Sequence, residues 1–163
     1  MSYSRFGAMI LVSTIVMFGL MYLNTWAPDH VFYSQTRTWM ALVMGAVMAV
    51  IMLGFMWRMY RNSAANLAIC VAAAIVFAAS LWLVRSQEIV SDVSYMKAMI
   101  PHHSIAVMTS ERAHIRDPRV RKLADGIIEA QVREIGEMKQ LIAELEAKPA
   151  PEGAKDLPPR PAE

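Results

Sequence analysis

The chain has 163 residues, 56% of them hydrophobic and 18% charged, with a net charge of +2, which is more apolar than an ordinary soluble domain. Residues 1–90 carry 7 of the 30 charged side chains and residues 91–163 the other 23, so one soluble domain is excluded. A near-neutral balance without a basic cluster gives no electrostatic footprint for nucleic acid, and the single cysteine, Cys70, excludes an intrachain disulfide framework or a Cys-only metal cluster.

Three apolar segments come first. Residues 6–26, 38–57 and 64–84 are free of charge and long enough to cross about 30 Å of hydrocarbon. Trp26, Trp39, Trp57 and Trp82 fall near segment ends, where indole rings favour the headgroup zone. The first segment is longer than a signal-peptide core and no small-x-small cleavage site follows Leu23, so it is expected to stay in place. Three spans place the back of the chain opposite its N-terminus. Arg5, Arg58 and Arg61 flank one side and Arg37, Arg85 and Lys97 the other, a near-balance that the compact Arg58–Arg61 loop tips toward an inside N-terminus.

Within the second segment Met40, Met44, Met48, Met52 and Met56 recur every fourth residue. Successive members rotate by about 40° on a helix and form one slowly winding stripe. Ala41, Gly45 and Ala49 run beside it as a small-xxx-small pattern that lets helices approach closely. Methionine fills irregular helix interfaces well, which is the plain reading; a thioether ladder for a soft cation is the sharper one. Cys70 has the same two readings, packing or ligand.

The back half reads as a soluble antiparallel helical hairpin over residues 88–148, behind a membrane domain of residues 1–87. Residues 92–115 are helical, either continuing the third span or starting afresh at the Ser91-Asp92 cap. Asp117-Pro118 is a strong start signal for the next helix, which ends before Lys148-Pro149. Residues 149–163 hold five of the eight prolines and are expected to be a disordered tail. The fold expected is all-α.

Along the second hairpin helix Val120, Ala124, Ile127, Gln131, Glu134, Met138, Leu141 and Leu145 form a coiled-coil-type seam, widened by Ile128, Ile135 and Ile142. Gln131 and Glu134 interrupt it, and a buried carboxylate needs a polar or cationic partner. The facing helix offers Met96, Met99, His103, Val107 and Ser110, with His102 on the flank. A symmetric turn sets Gln131 level with His102, Glu134 with Met99 and Met138 near Met96. Two anomalies thus meet at one height. Thioether and imidazole together suit Cu(I), and by extension Ag(I), better than Mg, Ca or Mn, and zinc sites use Cys, His and carboxylate. An ordinary core with histidines bonded to Gln131 and Glu134 is the plain alternative.

The segment Tyr95-Met96-Lys97-Ala98-Met99-Ile100-Pro101-His102-His103-Ser104-Ile105-Ala106-Val107-Met108 resembles the signature of domain-of-unknown-function family 305. Leu123-Ala124, Ile127-Ile128, Gln131, Glu134-Ile135 and Met138 match the second part of that pattern. The resemblance covers about residues 92–145 and extends to periplasmic copper-binding proteins of the CopM type. It implies a ferritin-like helical bundle binding Cu(I) or Ag(I), with Met99, His102, His103, Met108 and Met138 as ligand positions and Gln131 and Glu134 as polar slots of the pattern. A bacterial inner-membrane protein with a periplasmic hairpin, serving metal homeostasis or tolerance, follows from it. This chain departs in having one hairpin rather than a four-helix bundle, which points to homodimerisation or to packing on the membrane part. Its tail also lacks the extra Met and His of some members. On a straight helix Met108 sits about 140° from His103, so it faces elsewhere unless Pro101 kinks the helix or a neighbouring chain uses it.

No nucleophile–base pair and no phosphate-binding glycine loop is present, so no enzyme is expected. Two other readings remain. One is a metal-free interaction module. The other is a di-iron carboxylate protein built on Glu111-x-x-His114, although Glu111 and Glu134 lie about 18 Å apart along one hairpin. His30 and His114 read as solvent-side loop residues.

Overall fold

The computed structural model describes residues 2–151 and 153–159. Among these residues lie five α-helices: α1 Tyr3–Leu20, α2 Gln35–Phe55, α3 Ser63–Ser86, α4 Asp92–Arg112 and α5 Pro118–Ala147, with single 3-10 turns at Pro28–His30 and Trp57–Met59. No strand occurs among the described residues. Each helix starts where a short polar side chain accepts from a backbone N–H that the helix leaves unpaired: Ser2, Ser34, Asn62, Ser91 and Asp117. The Ser91 cap settles how the hairpin begins. Gln87 adopts a left-handed conformation (φ 55°) that stops α3, and α4 starts anew. Of the tail, residues 149–151 and 153–159 carry no helix, and residues 152 and 160–163 lie outside the described residues.

Helices α1, α2 and α3 are each long and apolar enough to cross a membrane. Helix α2 packs between the other two through Ala41, Gly45, Ala46, Ala49 and Leu53. Gly45 matters for a specific reason. A Cβ there would lie 2.5 Å from Thr14 Oγ1, so only glycine lets α1 come this close. Large apolar side chains such as Leu11, Ile15, Leu67 and Ile75 point outward. The methionine stripe follows the edge of the α2 contact face. Met44, Met48, Met52 and Met56 are half-buried, Met40 is exposed, and Met52, Met56 and Cys70 pack against the cluster of Phe6, Leu53 and Tyr60. An apolar cleft of about 470 Å³ opens between α1 and α3, lined by Phe6, Ile10, Thr14, Gly45, Ala49 and Ala73.

Tyr3 closes one end of this unit. Its hydroxyl donates to Asn66 Oδ1 at 2.8 Å, and Asn66 Nδ2 donates to the Tyr60 carbonyl at 2.8 Å. The N-terminus and the α2–α3 connection therefore share one end, and the 21–34 connection meets the hairpin at the other. The first span differs from the apolar segment 6–26: its helix starts at Tyr3 and stops at Leu20. Arg37 Nη1 donates to the Met21 carbonyl at 2.7 Å, and the Ser34 N–H donates to the Tyr22 hydroxyl at 2.9 Å. These bonds pull the chain into a loop before Trp26, so Trp26 belongs to the connection rather than to a span end.

Helices α4 and α5 form the hairpin around Met96, Ile100, Ile135 and Ile142, with Val93, Met138, Leu145 and loop residue Phe32 against them. The seam of α5 is rotated from the expected one. Its buried positions are Ala124, from the expected seam, and Ile135 and Ile142, from its widening, whereas the seam residues Val120, Ile127 and Leu141 are exposed, as is Leu123. The 21–34 loop explains the rotation, because it supplies a third surface on the side away from Leu123 and Ile127.

Candidate metal centre

Helix α4 runs without a break through Pro101, so its periodicity fixes which residues share a side. Met96, Ile100, Ser104 and Val107 form the buried face; Met99 and His103 stand beside it, half-buried. His103 is held at both nitrogens. Nδ1 lies 3.0 Å from the Met99 carbonyl, and Nε2 lies 2.8 Å from Glu134 Oε2. The Gln131 amide donates to the same Glu134 oxygen at 3.3 Å. Both ring nitrogens thus face oxygen acceptors.

Glu134 meets His103 rather than Met99, one helical turn from the pairing a symmetric turn gives. The cause is side-chain direction. Cα–Cβ bonds tilt toward each helix's own N-terminus, so in an antiparallel pair the tilts are opposed and meeting side chains come from higher-numbered positions. Gln131 is accordingly tied to Glu134 and not to His102. His102 is exposed, its ring 6.1 Å from that of His103 in an edge-on arrangement. Met96 and Met138 lie together in the hairpin core. Met108 does not join this group. It follows Ser104 by one turn, on the side of α4 that meets the 21–34 loop, and the unbroken helix through Pro101 keeps it there.

The structure thus brings together His103, Glu134, Gln131 and the backbone of Met99, with Met96 and Met138 in the adjoining core, and leaves His102 and Met108 apart. Among the described residues no three His, Cys, Asp or Glu side chains converge as a metal cluster. The side-chain groups that meet here are one imidazole and one carboxylate, and the thioethers of Met96 and Met138 lie in the hairpin core; imidazole and thioether are the donors of this hairpin that suit a soft cation. Glu111, the carboxylate of the di-iron reading, accepts from Trp26 Nε1 at 2.6 Å. His114 is exposed.

His30 departs most from the sequence reading. Far from facing solvent, it is 6% exposed, with Nδ1 3.0 Å from Ser104 Oγ. Its position depends on a tertiary contact 74 residues away, so no local pattern signals it. Burial lowers its pKa below the ordinary imidazole value, and the Lys139 charge adds to the effect.

Residues 92–161 match the family described as domain of unknown function DUF305. An uncharacterised protein of Acanthamoeba polyphaga mimivirus is 31% identical over 144 residues, which cover 84% of this chain and 93% of the viral protein. No solved structure matches. With the matched segment carrying α4, α5 and the His103–Glu134 pair, the chain belongs to the DUF305 family, here with three apolar helices ahead of the family domain.

Proposed function

We propose that this protein is a membrane-anchored binder of Cu(I) or Ag(I), of the CopM type, acting in metal homeostasis or tolerance. The observation that supports it is the fixed imidazole. His103 is oriented through the Met99 carbonyl, and its second nitrogen points toward the half-exposed Glu134 carboxylate at the rim of a methionine-containing core. His103 Nε2 is the anchoring donor, with the thioethers of Met99 and Met138 and, after a side-chain rearrangement, His102 as its proposed companions. A metal ion at Nε2 takes the place of the Glu134 contact, because the lone pair of that nitrogen must face the metal. No catalytic role is assigned.

The hairpin faces the periplasm of a bacterial inner membrane in this reading. Reporters fused at Asn62 and after the C-terminus test it: cytoplasmic activity at Asn62 and periplasmic activity at the C-terminus are expected, and the reverse contradicts it. Metal binding is tested on the full chain in detergent micelles by Cu(I) competition with a chromophoric chelator. His103→Ala is expected to lose at least tenfold in affinity at unchanged helix content. Equal affinities contradict the proposal.

The exposed strip Val120, Leu123 and Ile127 on α5 favours a second element of the reading. A second copy of the chain covers it, so that two hairpins complete a four-helix bundle. Sedimentation in micelles should report a dimer, and Leu123→Lys should return it to monomer. A monomeric wild type removes this element and leaves the metal site standing.

A further inference from the structure

The loop between α1 and α2 grips the hairpin at several points. The Trp26 N–H donates to Ser104 Oγ at 2.7 Å, and Trp26 Nε1 donates to Glu111 Oε2 at 2.6 Å. Lys139 Nζ of α5 donates to Asp29 Oδ2 at 2.6 Å, and Phe32 packs on the Met96, Ile100, Ile135 and Ile142 cluster. His30 sits at the centre of this grip, against a fully buried Ser104 and with its ring 5.9 Å from that of Trp26. We propose that residues 21–34 are an acid-released latch that fastens the hairpin to the membrane unit, with His30 as its titrating group.

The chemistry of the contact carries this. Ser104 Oγ already accepts the Trp26 N–H, so its own hydroxyl hydrogen is available to donate to Nδ1 of a neutral His30 ring. Protonating Nδ1 reverses that bond and brings a positive charge into a buried contact. The charged groups around the ring are Asp29 on its own segment, Lys139 from α5 and, through Trp26, Glu111 from α4. Asp29 Oδ1 is 4.0 Å from Nε2 and already engaged by Lys139 through its other oxygen, which holds the Asp29 carboxyl below its usual range. It therefore compensates the new charge only in part, while Lys139 opposes it. The sign follows. A docked His30 titrates below its free value, so the latch is at full strength above the free imidazole range and is lost as pH falls through the lowered docked value. The device is independent of any metal at His103.

The test uses the full chain in micelles, with Cys70→Ser and nitroxide labels on Leu23→Cys in the loop and Gln140→Cys on α5, both exposed positions. Double electron–electron resonance reads their separation. One narrow distance is expected at about pH 8, and a longer, broader population should grow toward about pH 4.5 with a midpoint below ~6.5. Lys139→Met should move that midpoint upward, since it removes the cation that resists protonation. His30→Asn should give one distribution, clamped or open, at both pH extremes. An unchanged wild-type distance across the range overturns the proposal. So does a His30→Asn variant that opens with the wild-type midpoint, because a carboxyl group would then be the switch.

Discussion

The two halves of this molecule solve opposite packing problems with the same secondary structure. In α1–α3 small residues, Ala41, Gly45, Ala46, Ala49 and Ala73, share the contacts with Phe6, Leu53 and Tyr60, while Leu11, Ile15, Leu67 and Ile75 point outward. In α4–α5 the order reverses, with Ile100, Ile135 and Ile142 inside and Arg133, Glu137 and Glu144 outside. Hydrocarbon does not reward hiding a leucine, so membrane helices meet through small residues and dispersion. Water does reward it, and the hairpin is assembled by burial. A residue's size therefore means different things before and after Gln87.

The largest contrast lies between two apolar truncations. Ile100→Ala removes a fully buried side chain from the hairpin core and should cost about 2–5 kcal/mol. Leu67→Ala, on the outward face of α3, should stay within about 0.5 kcal/mol. Thermal melts followed by circular dichroism in micelles compare them, and equal losses would break the distinction between the halves. Two glycines give the next contrast. Gly45→Val should cost about 1–3 kcal/mol by pushing α1 off α2, given the contact with Thr14. At Gly126 a new Cβ meets nothing, so Gly126→Ala should stabilise the hairpin by about 0.5–1 kcal/mol. Met138→Leu separates packing from ligation. It should cost under about 1.5 kcal/mol of stability, yet weaken Cu(I) binding measurably if Met138 is a donor; unchanged binding returns it to a packing role.

Much of this was legible because the signals were local. Charge-free runs marked the three apolar helices, Asp117-Pro118 marked the start of α5, and Ser91-Asp92 was one of two starts open for α4, the one the Ser91 cap takes. Glu134 and His103 were each out of place on an apolar seam, and they do meet. Their register was less legible, since counting Cα positions ignores the tilt of side chains toward each helix N-terminus. The 21–34 loop was not legible. Its partners Ser104, Glu111 and Lys139 lie 74 to 110 residues away, and only the folded chain makes His30 a buried group. The α5 seam was legible in part: Ala124, Ile135 and Ile142 are buried as expected, while Val120, Ile127 and Leu141 are exposed, and Phe32 covers part of what two helices alone would leave open.

The most direct test of the central claim is the Cu(I) affinity of the full chain as a function of pH, with and without His103. Coordination at Nε2 requires that nitrogen to lose its proton, so the wild type should bind Cu(I) more weakly as pH falls. His103→Ala should bind at least tenfold more weakly near neutrality and with a flatter pH dependence. A wild type and a His103→Ala variant that bind equally, with the same pH dependence, would contradict the assignment of this hairpin as a soft-metal site.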